Sequence, residues 1–392
     1  MRTPYMKETE EALLHTYNRF PVEFDRGEGV YLYDAEGRKY LDFAAGIAVC
    51  GLGYGHPELT KALKEQAEKL LHTSNLFYNE SCGKAAAALK KACGMDRVFF
   101  TNSGTEANEG MLKAARKYAW KRGTGRYEFI AMEGSFHGRS MGALSVTEHE
   151  AYRTPFEPLI PGVKFAKWND LESVRALVTE KTCGILLEPI QGEGGINMAS
   201  PEFLEGVRRI CDEEGILLLF DEIQCGMGRT GEMFAWQYYG VKPDIMSMAK
   251  AIGSGVPVGA FAMTEAVAAD SLEPGDHGTT YGGNPFACTA VAKTLEIFEK
   301  EHVTEHVRDI GEYLAEQLDR LVQEEESVLE RKGTGLIQGI RLNRPAGEVT
   351  AKAMEEGLVI ITARSDVIRL VPPMIIEKEH VDEMIEKLKK SL

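Results

Sequence analysis

Two ionisable residues stand where strongly apolar runs of the chain end. The run 216–220 closes on Asp221, and the run 244–248 leads through Ala249 to Lys250. A carboxylate delivered by an apolar strand is costly unless a cation meets it. A lysine held in such a place loses part of its proton affinity, and its neutral amine can form an imine with an aldehyde. Three further apolar runs are followed by residues suited to a flat, phosphorylated ligand. After 98–100 come Ser103, Gly104 and Thr105, which open a helix. They offer two hydroxyls, a close backbone approach and the unpaired N–H groups of a helix N-terminus. After 129–132 come Phe136, able to stack on a ring, and Arg139, able to grip a carboxylate with paired hydrogen bonds. After 184–187 come Glu188 and Glu193 on a glycine-rich loop.

Each feature also has a plainer explanation. Ser and Thr cap helices routinely, glycines make turns, an acid at a strand end can cap a helix, and most lysines are solvated. Taken together, a phosphate cradle, a ring-stacking Phe, an acid for a ring nitrogen and an amine for an aldehyde make up a pyridoxal 5′-phosphate (PLP) site. Four ordinary explanations holding at once form a weaker account than that single one. His137 is read as structural, because no acid partner is visible near it in the sequence. Gly226, Gly228 and Gly231 match G-x-G-x-x-G. That motif should follow a strand directly and open a helix, with an acid about 20 residues on. Here residues 221–225 intervene and no such strand follows, so the motif is read as a turn.

The elements that position these residues alternate between short β-branched or aromatic runs and amphipathic stretches. That is the pattern of an α/β protein with a mainly parallel sheet flanked by helices. Ligands in such sheets bind beyond the carboxyl ends of the strands, which is where the candidates fall. Helices are predicted over 57–71, 105–121, 201–214, 285–300 and 306–326, with a last one from 379. A hairpin is predicted at 30–33 and 39–43, and strands at 336–340 and 367–370. The expected organisation is an N-terminal segment (1–50), a large α/β domain (51–300) and a small C-terminal α+β domain (301–392).

The bulk properties exclude other classes. Among the 392 residues, 60 acids against 45 Lys and Arg give a net charge of −15, which repels phosphate backbones and argues against nucleic acid. The 7 cysteines lack C-x-x-C spacing, so reduced thiols in the cytoplasm are expected rather than disulfides or a metal site. No apolar run is long enough to span a bilayer, and the early acids Glu8, Glu10 and Glu11 argue against a transit peptide.

Longer stretches carry a resemblance over nearly the whole chain, from Gly46 to Pro373. The most specific are 74–80, 101–108, 136–139, 188–195, 221–231 and 277–285. On these the chain resembles the class III (subgroup II) aminotransferases of PLP fold type I. The resemblance implies a large parallel-sheet domain and a smaller α+β domain formed by the C-terminal part with the N-terminal segment. It implies that Lys250 forms the imine with PLP and carries the proton, that Asp221 pairs the ring nitrogen, and that Gln224 lies beside the phenolic oxygen. Ser103, Gly104 and Thr105 would hold the phosphate and Phe136 would stack on the ring. Thr280 would reach the phosphate from the other subunit of a homodimer. Arg139 and Thr279 would bind substrate, and Arg369 would bind a second carboxylate when Glu193 is not masking it. The implied reaction is a ping-pong transamination through pyridoxamine phosphate between N2-acetylornithine and 2-oxoglutarate; the alternatives are sibling ω-amino donors (succinylornithine, succinyl-diaminopimelate, ornithine or 4-aminobutyrate) and, behind them, an aminomutase or decarboxylase reaction on the same cofactor. Ala45-Gly46, Ala249-Lys250-Ala251 and Thr279 depart slightly from commoner family forms, which bears on specificity and removes no catalytic group.

Overall fold

A computed structural model describes residues 3–392. Its centre is a seven-stranded sheet in the order Arg97–Thr101, Gly259–Met263, Ile245–Met248, Leu217–Asp221, Thr182–Leu187, Glu128–Met132 and Val163–Ala166. Gly259–Met263 is antiparallel to both neighbours, and the other six strands share one direction. Both faces of the sheet are covered. Leu218, Phe220, Met246 and Met248 pack into one buried cluster, while Leu217, Leu219 and Ile245 pack into another. A strand buried on both faces needs an unbroken apolar run, which is why 216–220 shows no polar alternation. The carboxyl ends of the six co-directional strands lie along one edge. There the paired residues Gly259 and Thr101 bring the segment before the antiparallel strand to the same edge.

Long helices pack around this sheet, and their ends follow local chemistry. Gly104–Lys121 is capped by Ser103, whose Oγ accepts from the Glu106 amide at 3.3 Å. Pro201–Glu214 starts with proline after Ser200 and stops at Gly215, φ 63°. Pro285–Lys300 is capped by Asn284, which accepts from the Ala287 amide at 2.8 Å. Val303–Glu324 begins three residues before the predicted helix. The predicted helices are present, and so is Glu80–Cys93, which the alanine-rich sequence did not reveal. The G-x-G-x-x-G segment is a turn, as read. No helix is long and apolar enough to cross a membrane among the described residues.

Two four-stranded sheets and a two-stranded ribbon, Ile190–Gln191 with Asn197–Met198, complete the fold. Val328–Thr334, Ile337–Leu342, Val367–Leu370 and Ile361–Ala363 form an antiparallel sheet that carries Arg369. The hairpin Tyr31–Asp34 and Lys39–Asp42 pairs with Phe24–Glu28 on one side, and on the other with Leu358–Val359, parallel to Lys39–Asp42. The N-terminal stretch 24–42 and the C-terminal part thus share a sheet. Directly after it, Ala45, Gly46, Ile47 and Ala48 all have positive φ (49°, 64°, 67° and 63°). The Ala48 and Val49 amides bond the Ala44 and Ala45 carbonyls at 2.9 and 2.8 Å. This is one turn of left-handed helix, in which each non-glycine residue costs roughly 1–2 kcal/mol.

Candidate active site

The strand edge opens into a cavity of about 440 Å³, within the roughly 300–1,000 Å³ usual for small-molecule sites. At one end is the N-terminus of Gly104–Lys121. Ser103 commits its side-chain lone pair to the Glu106 amide, and among the described residues the Gly104 and Thr105 amides find no acceptor. Two free N–H groups at the positive end of an 18-residue helix form an anion cradle. The Thr105 hydroxyl lies 2.7 Å from Ser140 Oγ, which donates to Glu109 Oε1 at 2.7 Å. Gly138 makes that approach possible, since a Cβ there would fall 2.4 Å from Thr105 Oγ1.

Asp221 lies at the cavity floor and is 3% exposed. Its Oδ1 accepts from the Ile223 amide at 3.0 Å, and its Oδ2 accepts from Asn108 Nδ2 at 2.8 Å. His137 Nδ1 is 2.7 Å from the same Oδ2. An ionised carboxylate only accepts, so Nδ1 carries the hydrogen. The sequence reading of His137 as lacking an acid partner is therefore corrected: the partner is Asp221, 84 residues away in the chain. Glu188 sits beside them and accepts from the Phe136 and Gly192 amides at 3.0 and 3.2 Å. Burial pushes its carboxyl up to about 7, with the Asp221 charge adding to the rise and His137 opposing it.

Lys250 leaves the strand edge in a left-handed backbone conformation, φ 50°, at the start of a 3₁₀ turn. Such strain at a non-glycine residue concentrates at functional positions. Burial lowers the affinity of its amine for a proton, and the Arg369 charge lowers it further, against the pull of Glu193, Asp221 and Glu188. Among the described residues no ion pair holds the amine, so it is available to act as the nucleophile the sequence leads one to expect at this strand end.

Phe136, Gln224 and Arg139 line the same cavity. The Arg139 guanidinium lies 3.6 Å from the Tyr152 ring centroid, and no carboxylate of the described residues pairs with it. Arg369 is engaged: its Nη1 donates to Glu193 Oε1 at 2.6 Å and to Gln224 Oε1 at 3.0 Å, and its Nη2 donates to the Thr362 carbonyl at 3.2 Å. Neither Arg369 nor Glu193 lines that cavity; Glu193 faces an adjoining one of about 450 Å³ that shares Phe136. Thr279 stands at the rim, where Asn102 Nδ2 donates to its Oγ1 at 3.2 Å. Thr280 is exposed and lies outside the cavity. The sequence did not single out Asn108, Ile223 or Ser140 for the site. Asn108 was recoverable as the residue one helical turn after Gly104, facing the same way.

The profile described as aminotransferase class-III matches residues 13–392. The chain belongs to the class-III aminotransferase family. The acetylornithine aminotransferase of Aquifex aeolicus is 48% identical over 381 residues, covering 97% of this chain and 99% of that protein. The acetylornithine aminotransferase of Methanocaldococcus jannaschii is 45% identical over 376 residues, covering 96% and 94%. Among solved structures, an ornithine aminotransferase from Toxoplasma gondii with PLP at partial occupancy superposes with a TM-score of 0.94 at 30% identity. The match covers 100% of this chain and 94% of that one. The cofactor of this class-III aminotransferase is pyridoxal 5′-phosphate.

The residues present fit that cofactor. Two unsatisfied amides suit its phosphate, and Asp221 is a buried acid with no arginine or lysine within ion-pair distance among the described residues. The Lys250 amine is unpaired. His137 Nε2 and Asn108 Oδ1 are buried without partners, so the polar network around Asp221 is incomplete in the protein alone.

Proposed function

We propose that this class-III aminotransferase transfers the terminal amino group of N2-acetylornithine to 2-oxoglutarate, giving N-acetylglutamate 5-semialdehyde and glutamate, a step of arginine biosynthesis. The observation that carries this reading is the unequal state of two arginines. Arg139 is free for a carboxylate, while Arg369 is capped by Glu193 at 2.6 Å. Acetylornithine has one carboxylate and 2-oxoglutarate has two, so one site serves both if Glu193 releases Arg369 only for the dicarboxylate. Relatives bearing the acetylornithine name at 45–48% identity support the same substrate.

In this reading PLP supplies an aldehyde for the amine and an electron sink that acidifies the adjacent C–H bond. The protein does the rest. Lys250 would hold the cofactor's aldehyde carbon and, once its amine is free, would take the proton from the substrate carbon as a general base and deliver it to a different carbon as a general acid. Asp221, held by His137, Asn108 and the Ile223 amide, keeps a proton on the ring nitrogen. Gln224 orients the phenolic oxygen, Phe136 confines the ring, and the Ser103–Thr105 segment anchors the phosphate. Arg139, with Thr279 at the rim, sets the distance between carboxylate and reacting carbon.

The protein acts as a homodimer in this account, with Thr280 reaching the partner's phosphate. Support comes from the exposed Leu76, Phe77 and Tyr78. Their segment is tied to the Thr280 segment: Asn75 Nδ2 donates to the Thr279 and Gly282 carbonyls, and Asn79 Nδ2 to that of Gly283. A second copy covering this face would bury both. A cytoplasmic location is supported by seven free thiols.

The deciding experiment is a panel of amino donors with 2-oxoglutarate: acetylornithine, succinylornithine, ornithine and 4-aminobutyrate. The expected leader in kcat/KM is acetylornithine. A wide lead for free ornithine or 4-aminobutyrate would defeat the named reaction and leave the family intact.

A further inference from the structure

The second cavity, of about 450 Å³, adjoins the first, with Phe136 in the wall of both. Tyr152 lines it and meets the first cavity through Arg139, whose guanidinium lies 3.6 Å from the Tyr152 ring centroid. His149, another lining residue, stacks on Tyr152 at 3.8 Å, and its buried Nδ1 has no partner. Both carboxylates that line this cavity have partners. Glu148 Oε2 accepts from the Gly134 amide at 2.8 Å, and Glu193 pairs with Arg369.

Arg364 is the arginine of this second cavity, and among the described residues its guanidinium has no ion pair and no hydrogen bond. It sits in the turn between Ile361–Ala363 and Val367–Leu370 with φ 65°, a backbone that glycine or asparagine adopts more readily. An exposed arginine at a hairpin tip is usually just solvated. Two glycines let this one lie inward. A Cβ at Gly195 would fall 3.7 Å from its Cγ, and a Cβ at Gly134 would fall 3.1 Å from its Nη2. The side chain therefore passes Gly195 of the Glu193 loop and ends beside Gly134 of the Phe136 loop.

We propose that the second cavity is an acyl subsite in which Arg364 receives a carboxylate at the far end of the acyl arm, so that N2-acylornithines with a dicarboxylic arm, such as succinylornithine, are substrates beside acetylornithine. This rests on the acylornithine reading above. A substrate whose α-carboxylate is held by Arg139 carries its acyl nitrogen on the adjacent carbon, at the junction of the two cavities. An acetyl arm ends there in a methyl group. A succinyl arm carries its carboxylate roughly 5 Å beyond the nitrogen, into the second cavity. A guanidinium without a partner takes such a group through two parallel hydrogen bonds. Free ornithine has no arm and gains nothing from Arg364.

The test uses the PLP-loaded enzyme with Arg364→Asn and Arg364→Lys, reading kcat and KM for succinylornithine, acetylornithine and 2-oxoglutarate, with thermal unfolding as the check on folding. Asparagine suits the left-handed backbone, so Tm should not fall. Arg364→Asn should cut the succinylornithine-to-acetylornithine ratio of kcat/KM by roughly ten- to a hundredfold, through KM of succinylornithine. Arg364→Lys keeps the charge and should lose less. An unchanged ratio in both variants overturns this inference alone, and so does a wild type that turns over acetylornithine and not succinylornithine. A loss confined to 2-oxoglutarate also overturns it, because Arg364 would then be serving the acceptor. A wild type that prefers free ornithine or 4-aminobutyrate overturns the functional reading instead.

Discussion

Replacing Glu193 by Gln should separate the two half-reactions. The Arg369–Glu193 pair is 2.6 Å long, with the arginine side chain 3% exposed and the glutamate 34% exposed. A hydrogen bond between charged groups is worth about 1.5–3 kcal/mol. Because Glu193 is a third exposed, solvent screening brings the figure to the low end, about 1–1.5 kcal/mol. If Arg369 takes the second carboxylate of 2-oxoglutarate, as proposed above, that carboxylate has to displace Glu193, and its binding is weakened by that amount in the wild type. The glutamine of Glu193→Gln fills the same space without the charge, and the contacts of Arg369 to Gln224 and the Thr362 carbonyl remain. kcat/KM for 2-oxoglutarate should therefore rise about five- to twelvefold. kcat/KM for acetylornithine should fall, because an uncapped Arg369 then faces a substrate with no second carboxylate. Steady-state ping-pong kinetics yield the two constants separately. If both constants move together, or neither moves, the masking argument is wrong.

Other predictions follow from single contacts. Gly138→Ala puts a Cβ 2.4 Å from Thr105 Oγ1 at a backbone φ of 137°, so PLP affinity should fall, read by fluorescence titration of the stripped protein. Retained affinity would show that the loop has room to shift. Mixing Lys250→Ala subunits with Thr280→Ala subunits should restore activity in the mixed dimer, because one of its two sites then holds both native residues. An absence of rescue would put Thr280 in the site of its own chain. Burial pushes the Glu222 carboxyl up to about 8 from 4.5, although the Ala235 and Trp236 amides donate to it. A raised carboxyl favours the protonated fold. Its stabilisation is complete below pH 4.5 and is lost as pH rises to about 8. Urea melts between about pH 6 and 9 should show a falling stability that Glu222→Gln flattens, and equal slopes in both proteins would contradict this.

Much of the site was legible because an α/β sheet puts its ligands at strand ends. Asp221 and Lys250 each come at the end of a strand buried along its length and free of charged residues before them, so the first charged side chain marks the strand's exit. The phosphate cradle was legible through Ser103 as a helix cap. What stayed hidden depends on contacts distant in sequence. The histidine partner of Asp221 lies 84 positions earlier, and no local pattern links the two. The strand Gly259–Met263 was not foreseen, since its glycine and alanine content reads weakly. The small residues are there because a Cβ at Gly259 would fall 2.4 Å from the Ser103 carbonyl. The turn at Ala45–Ala48 ran against local preference, because isoleucine argues for an extended backbone. Arg229 in the glycine-rich turn is fully buried, donating to the Leu336 and Pro372 carbonyls, and its motif gave no hint of that.

The central claim is that Lys250 binds the cofactor and carries the proton in transamination. Borohydride reduction of the PLP-loaded enzyme, followed by peptide mapping, tests it most directly. The account predicts the phosphopyridoxyl label on Lys250 alone, and no label with a loss of turnover of roughly a thousandfold or more in a folded Lys250→Ala protein. A label on another lysine, or substantial acetylornithine turnover by Lys250→Ala, would contradict it.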